Sequence, residues 1–153
     1  MNKKGVTLLE LIVVIAIVAI LAAFAVPNYF DYLKRATIAG NAAKMASELR
    51  YVRDYASARD ISCVLTITAP NGTTGSYRFN EDNSNGEVIV LPSEPTVEIP
   101  FPDNVIITAD FDPVTFTDTG RPEAEVTITL TPEDAEMAKT ININPVTGFV
   151  TVQ

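Results

Sequence analysis

The sequence predicts an α+β protein: a long N-terminal α-helix, transmembrane in its first half, packed on a C-terminal antiparallel β-sandwich-like head. Three observations predict it. An unbroken apolar run extends from Leu11 to Val26. A proline-free stretch over residues 28–58 carries one apolar seam. From Ser62 onward, short segments rich in β-branched residues alternate with turn signals.

The helix comes first. Val6 to Val26 is long enough to cross a bilayer, since roughly 20 helical residues span the ~30 Å hydrocarbon core. Its single acid, Glu10, lies near one end. A charge there costs roughly 2–3 kcal/mol or more in lipid, so it demands a partner. Pro27 removes a backbone donor and predicts a bend. Beyond it, Ile38, Ala42, Met45, Leu49, Val52 and Ala56 follow spacings of four and three, one stripe of a helix. Lys34, Arg35, Lys44, Arg50 and Arg53 fall largely off that stripe. The helix is therefore expected over 6–58, with 6–26 in the membrane and 59–153 as the head.

Strands are expected at 64–68, 77–79, 87–91, 96–99, 105–109, 114–117, 126–130, 140–143 and 149–152. Asn71-Gly72, Asn85-Gly86, Thr119-Gly120 and Thr147-Gly148 supply turns between them. Pro132 to Met137 reads as a loop.

The head of the chain departs from an ordinary secretory signal. Such signals place the small residue of the cleavage site after the apolar core. Here Gly5 precedes it. Cleavage after Gly5 would remove five residues and leave the apolar segment on the mature chain. It would also expose an amino group on Val6, one helical turn from Glu10. That amine can neutralise the acid within one chain or between staggered chains. Lys3 and Lys4 flank the run, and positive flanks stay cytoplasmic, so the head is expected to be exported.

Lys4-Gly5-Val6-Thr7-Leu8-Leu9-Glu10 resembles the prepilin leader of type IV pilins and type II secretion pseudopilins. The resemblance implies a pilin fold, with 1–5 as leader peptide, cleavage between Gly5 and Val6, and N-methylation of Val6. It implies that Glu10 pairs with the amine of a neighbouring subunit during assembly, with Pro27 as the helix bend. Val6 stands where the family most often has phenylalanine. The implied partners are other pilin or pseudopilin subunits, a prepilin peptidase/methyltransferase, an inner-membrane assembly platform, and the lipid bilayer before assembly. The implied location is the bacterial inner membrane, N-terminus cytoplasmic and head periplasmic, and then the pilus or pseudopilus. Phe116-Thr117-Asp118-Thr119-Gly120-Arg121-Pro122 and Thr147-Gly148-Phe149-Val150-Thr151-Val152 look like the tail of GspH/FimT-type minor pseudopilins. The function implied is that of a structural minor subunit. The alternatives are a ligand-binding tip protein, either adhesin or DNA-uptake receptor, and a major pilin.

Composition narrows these readings. The 153 residues include no histidine and no tryptophan, so a His general base or His metal site is excluded. Nothing singles out a pair of carboxylates for acid–base work, and no enzyme activity or cofactor is expected. Residues 1–58 hold seven basic and four acidic side chains, net +3, and residues 59–153 hold four and fifteen, net −11. An acidic head repels phosphate backbones, which disfavours nucleic acid. The final ten residues contain no Lys or Arg.

The stretch from Asn80 to Glu87 resembles a calcium loop, but counting from Glu81 puts Pro92 at the twelfth position, where the bidentate glutamate belongs. A polar hairpin tip is the better reading. Asp110, Asp112 and Asp118 read as solvated surface. Asn71-Gly72-Thr73 fits a glycosylation acceptor formally and is read as a turn. Cys63, the single cysteine, reads as a small buried apolar residue, the alternative being an intermolecular disulfide.

Overall fold

The computed structural model describes residues 8–68, 75–83, 85–102, 105–110, 113–132 and 137–153, apart from the side chains of Ala25 and Pro27. The chain forms two compact units, Met1–Ala36 and Thr37–Gln153. One helix, α1 (Leu8–Arg59), contributes to both. The helical assignment continues through Pro27. One residue on, the Asn28 side-chain amide donates to the Phe24 carbonyl at 3.1 Å.

In the second unit the expected seam is the buried one. Ile38, Ala42, Met45, Leu49, Val52 and Ala56 are all buried, together with Ala46. The helix ends at Arg59, and Asp60 takes a left-handed conformation (φ 58°) that turns the chain out. The Ile61 amide donates back to the Ala56 carbonyl at 3.2 Å, closing the last turn.

Among the described residues eight strands follow: β1 (Cys63–Thr68), β2 (Ser76–Glu81), β3 (Ile99–Pro100), β4 (Val105–Ala109), β5 (Val114–Phe116), β6 (Val126–Pro132), β7 (Lys139–Ile143) and β8 (Val150–Val152). They form two four-stranded antiparallel sheets, in the orders β3-β2-β1-β5 and β4-β6-β7-β8. Register places Leu65 opposite both Phe79 and Val114, and Ile128 opposite Ile141. Because side chains alternate across a strand, such pairing gives each sheet one apolar face. The two apolar faces and the helix seam make one buried cluster. A fully buried Leu, Ile or Phe contributes ~1.5–3 kcal/mol relative to exposure, so this shared cluster dominates the stability of the head.

The segment between β2 and β3 differs from expectation. Residues 87–91 form isolated bridges at Val88 and Leu91, not a strand. The strand expected at 96–99 is confined to Ile99–Pro100. Pro92, Pro95, Pro100 and Pro102 punctuate this stretch, and each lacks the N–H that a ladder requires. Ile89 and Leu91 are nonetheless buried, and the segment pairs with β2 only at its start, where the Glu81 amide donates to the Glu87 carbonyl and the Ile89 amide to the Phe79 carbonyl, each at 2.8 Å. The turn at Asn71-Gly72 and the central part of the loop after Pro132 lie outside the described residues.

Candidate functional site: the N-terminal apolar helix and its attachment to the head

From Leu8 to Val26 every described side chain is exposed, Leu9 and Phe24 each at 73%. A mean hydropathy of 3.0 over an 18-residue window makes this the one described helix long and apolar enough to cross a membrane. Glu10 lies in the first described turn and is the sole charged side chain between Leu8 and Val26. Beyond Val26 the exposed surface turns aromatic, with Tyr29, Phe30 and Tyr32 all more than half exposed.

Of the residues implied by the leader resemblance, Glu10 alone has a described side chain. Gly5 and Val6 lie outside the described residues, as does the Pro27 side chain, so cleavage, methylation and the bend stand as proposals.

The second half of α1 is attached to the head by polar contacts that the sequence does not announce. The Tyr77 hydroxyl donates to Glu48 Oε2 at 2.7 Å. Glu48 is only 2% exposed, and its Oε1 has no hydrogen-bond partner among the described residues. Lys44 Nζ lies 4.0 Å from Oε1 and also contacts Glu94. Burial pushes the Glu48 carboxyl above its usual range, against the opposing pull of the Tyr77 hydrogen bond and Lys44. Burial also raises Tyr77, and the Glu48 carboxylate adds to the rise. A second pair sits one helical stretch on: the Tyr55 hydroxyl donates to Glu81 Oε1 at 2.8 Å, and Arg59 stacks over the Tyr55 ring at 4.6 Å. One sequence signal pointed at Glu48, an acid three residues after Met45 and four before Val52 on the buried stripe.

Two glycine turns complete the attachment. Gly120 and Gly148 both have positive φ, 72° and 66°. A Cβ on Gly120 would lie 2.8 Å from the Arg53 carbonyl oxygen, and one on Gly148 would lie 2.4 Å from the Gly120 carbonyl oxygen. Helix and turns therefore touch backbone to backbone. Arg53 reaches the Gly148 carbonyl at 3.3 Å and Arg50 the Val150 carbonyl at 2.9 Å. The tail that resembles GspH/FimT thus folds against α1.

The Asn80–Glu87 stretch forms a hairpin tip, with Ser84 outside the described residues. Asn83 Oδ1 accepts from the Asn85 and Gly86 amides at 3.0 and 2.8 Å, and Gly86 has φ 57°. Asn80 pairs across it with Val88. Asp110 and Asp118 are exposed, and Asp112 is outside the described residues. Cys63 is buried in β1, and burial pushes its thiol up to about 11, with Glu81 and Asp82 adding smaller contributions.

Comparison with known proteins matches residues 1–26 to the prokaryotic N-terminal methylation motif. The chain carries that motif on a pilin fold, a long helix followed by antiparallel sheets. Among solved structures it is similar to the minor pseudopilin EpsH of the Vibrio cholerae type 2 secretion system (TM-score 0.61, 8% identity, 76% of this chain and 95% of that one). It is also similar to the type IV minor pilin FimU of Pseudomonas aeruginosa (TM-score 0.56, 15% identity, 80% and 92%). By sequence it is 33% identical over 97 residues to a type IV major fimbrial protein FimA of Dichelobacter nodosus, covering 63% of this chain and 57% of that protein. A fimbrial protein of the same organism is 39% identical over 85 residues, 52% of each chain. The chain spans about half the length of the curated relatives it matches.

Proposed function

We propose that this chain is a structural minor subunit of a type IV pilus or a type II secretion pseudopilus. It is made as a prepilin, cut between Gly5 and Val6 by a prepilin peptidase and methylated on Val6. Residues 6–26 hold it in the inner membrane, N-terminus cytoplasmic, until the assembly platform transfers it to a helical fibre. There the apolar helices pack together and the acidic heads face outward. The observation that carries this reading is the exposed apolar segment in which Glu10 is the one charged side chain from Leu8 to Val26. Lipid satisfies the side chains before assembly, and neighbouring helices satisfy them afterwards. Glu10 becomes tolerable in the fibre core when it meets a neighbour's new ammonium, since a buried charge must be paired.

Mass spectrometry of the mature chain tests this directly. The expected N-terminus is methylated Val6, and an intact Met1 start on assembled subunits refutes the proposal. Minor rank predicts low abundance in isolated fibres; a chain forming the bulk of the fibre would be a major pilin, as the FimA relatives are named.

A further inference from the structure

The outer face of the second sheet is polar and uncharged over two successive rungs. Its rungs run Thr127–Asn142–Thr151 across β6, β7 and β8, with Thr129, Thr140 and Gln153 on the next rung. The alternate positions, Ile128, Ile141 and Ile143, are fully buried, so the hydroxyls and amides point outward. Residues 59–153 carry a net charge of −11, yet these two rungs carry no charged side chain. At the hairpin end the Asn144–Phe149 pair adds an aromatic ring that is 59% exposed. Between them lies a groove of about 400 Å³, in which Glu125 is the single charged side chain. That volume falls within the roughly 300–1,000 Å³ of small-molecule sites.

The groove is braced from beneath. Asn144 Oδ1 accepts from the Val146 and Thr147 amides at 2.9 and 3.1 Å. Thr147 Oγ1 accepts from the Phe149 amide at 3.2 Å, and Thr151 Oγ1 donates to the Asn142 carbonyl at 3.4 Å. These bonds fix the platform and leave the Asn142 and Gln153 amides and the Glu125 carboxylate facing a ligand. The set offers donors and acceptors together, one charged side chain and one bare ring. It lacks the cations a phosphate needs, the several carboxylates a basic peptide needs, and the continuous apolar area a lipid or apolar helix needs.

We propose that this groove binds a short neutral saccharide. The C–H face of one sugar ring stacks on Phe149, and its hydroxyls bond to Asn142, Gln153 and Glu125. The recognition surface is a sheet face, so inspecting loops one by one does not reveal it.

The test uses the full chain in a detergent without a sugar headgroup, because glycosidic detergents would compete. It is applied to immobilised neutral hexose and N-acetylhexosamine oligosaccharides beside sialylated and sulfated ones. Neutral glycans should be retained, and Phe149→Ala should weaken retention about tenfold or more, the loss of one stacked ring. Asn142→Ala should weaken it as well. Phe149→Ala should leave the melting temperature and fibre incorporation unchanged. Retention of anionic glycans alone, no retention, or undiminished binding by Phe149→Ala overturns the proposal. Loss of incorporation in Phe149→Ala with no glycan bound also overturns it, since the face would then join subunits. Failure on glycans with normal incorporation leaves the fibre role intact.

Discussion

Two side chains show how burial decides chemistry in the head, and a third acts outside it. Glu48 is an acid folded into the apolar stripe of α1, and burial there raises its carboxyl above the usual range. The sign follows from linkage. A carboxyl whose folded pKa exceeds its unfolded value contributes stability below the unfolded value and loses it as pH rises through the folded one. Glu48→Gln keeps the shape and removes the titration. Its melting temperature should therefore gain on wild type as pH rises from about 4.5 to 7, and the two should converge at pH 4. Equal curves across that range would mean that Glu48 is not desolvated. Cys63 tells a similar story. A buried thiol pushed up to about 11 is neither exposed nor ionised at neutral pH. A thiol reagent should leave the native head unmodified and react stoichiometrically in denaturant. At Glu10, replacement by Leu removes the cost of a charge in lipid and also the pairing group. The chain should stay anchored while incorporation into fibres drops severely; wild-type incorporation would refute the pairing role.

At the scale of elements, the glycine turns separate two demands that the sequence presents alike. Gly86, Gly120 and Gly148 all follow a turn-forming residue and all adopt positive φ. Nothing lies within 4 Å of a Cβ on Gly86, so Gly86→Ala meets only the left-handed penalty of about 1–2 kcal/mol. Gly120→Ala and Gly148→Ala add a collision with backbone oxygens that cannot move alone. Each should destabilise the head by about 3 kcal/mol or more, read from denaturant midpoints. Equal losses at all three would show that turn conformation alone matters. This contrast also marks what was legible in advance. The helix, its buried stripe and most strands follow from local periodicity, because side-chain spacing alone decides which face is apolar. Gly120 and Gly148 read as ordinary hairpin turns, since their second role depends on Arg53, far away in sequence. Likewise the Tyr77–Glu48 and Tyr55–Glu81 pairs join the helix to β2, and no local pattern encodes a contact across that distance. The strand expected at 87–91 differs in extent: its β-branched residues pair with β2 over 87–89, and the ladder stops before Pro92, which has no N–H to continue it. The apolar run from Leu11 to Val26 was legible because it is local.

The whole molecule divides its apolar residues between two destinations. Those of the buried cluster begin at Ile38 and continue to Val150. Those from Leu8 to Leu33 are exposed without exception among the described side chains. Removing residues 1–36 therefore deletes no member of the core and no partner of Glu48, Glu81, Gly120 or Gly148. It does delete the surface that requires lipid or a fibre. A fragment starting at Thr37 should be soluble without detergent and carry a strongly negative charge that keeps it monomeric. Calorimetry should find one cooperative transition, within a few degrees of the head transition in the full chain. The helix from 37 onward has lost its upstream turns, and most helical stability in proteins comes from tertiary packing of an amphipathic face. Its stability in the fragment must then come from the packed stripe. Fraying confined to the first turn would agree with that account. A fragment that aggregates or melts without cooperativity would show that the apolar half of α1 supports the head as well as the fibre, and that the two destinations are not separate.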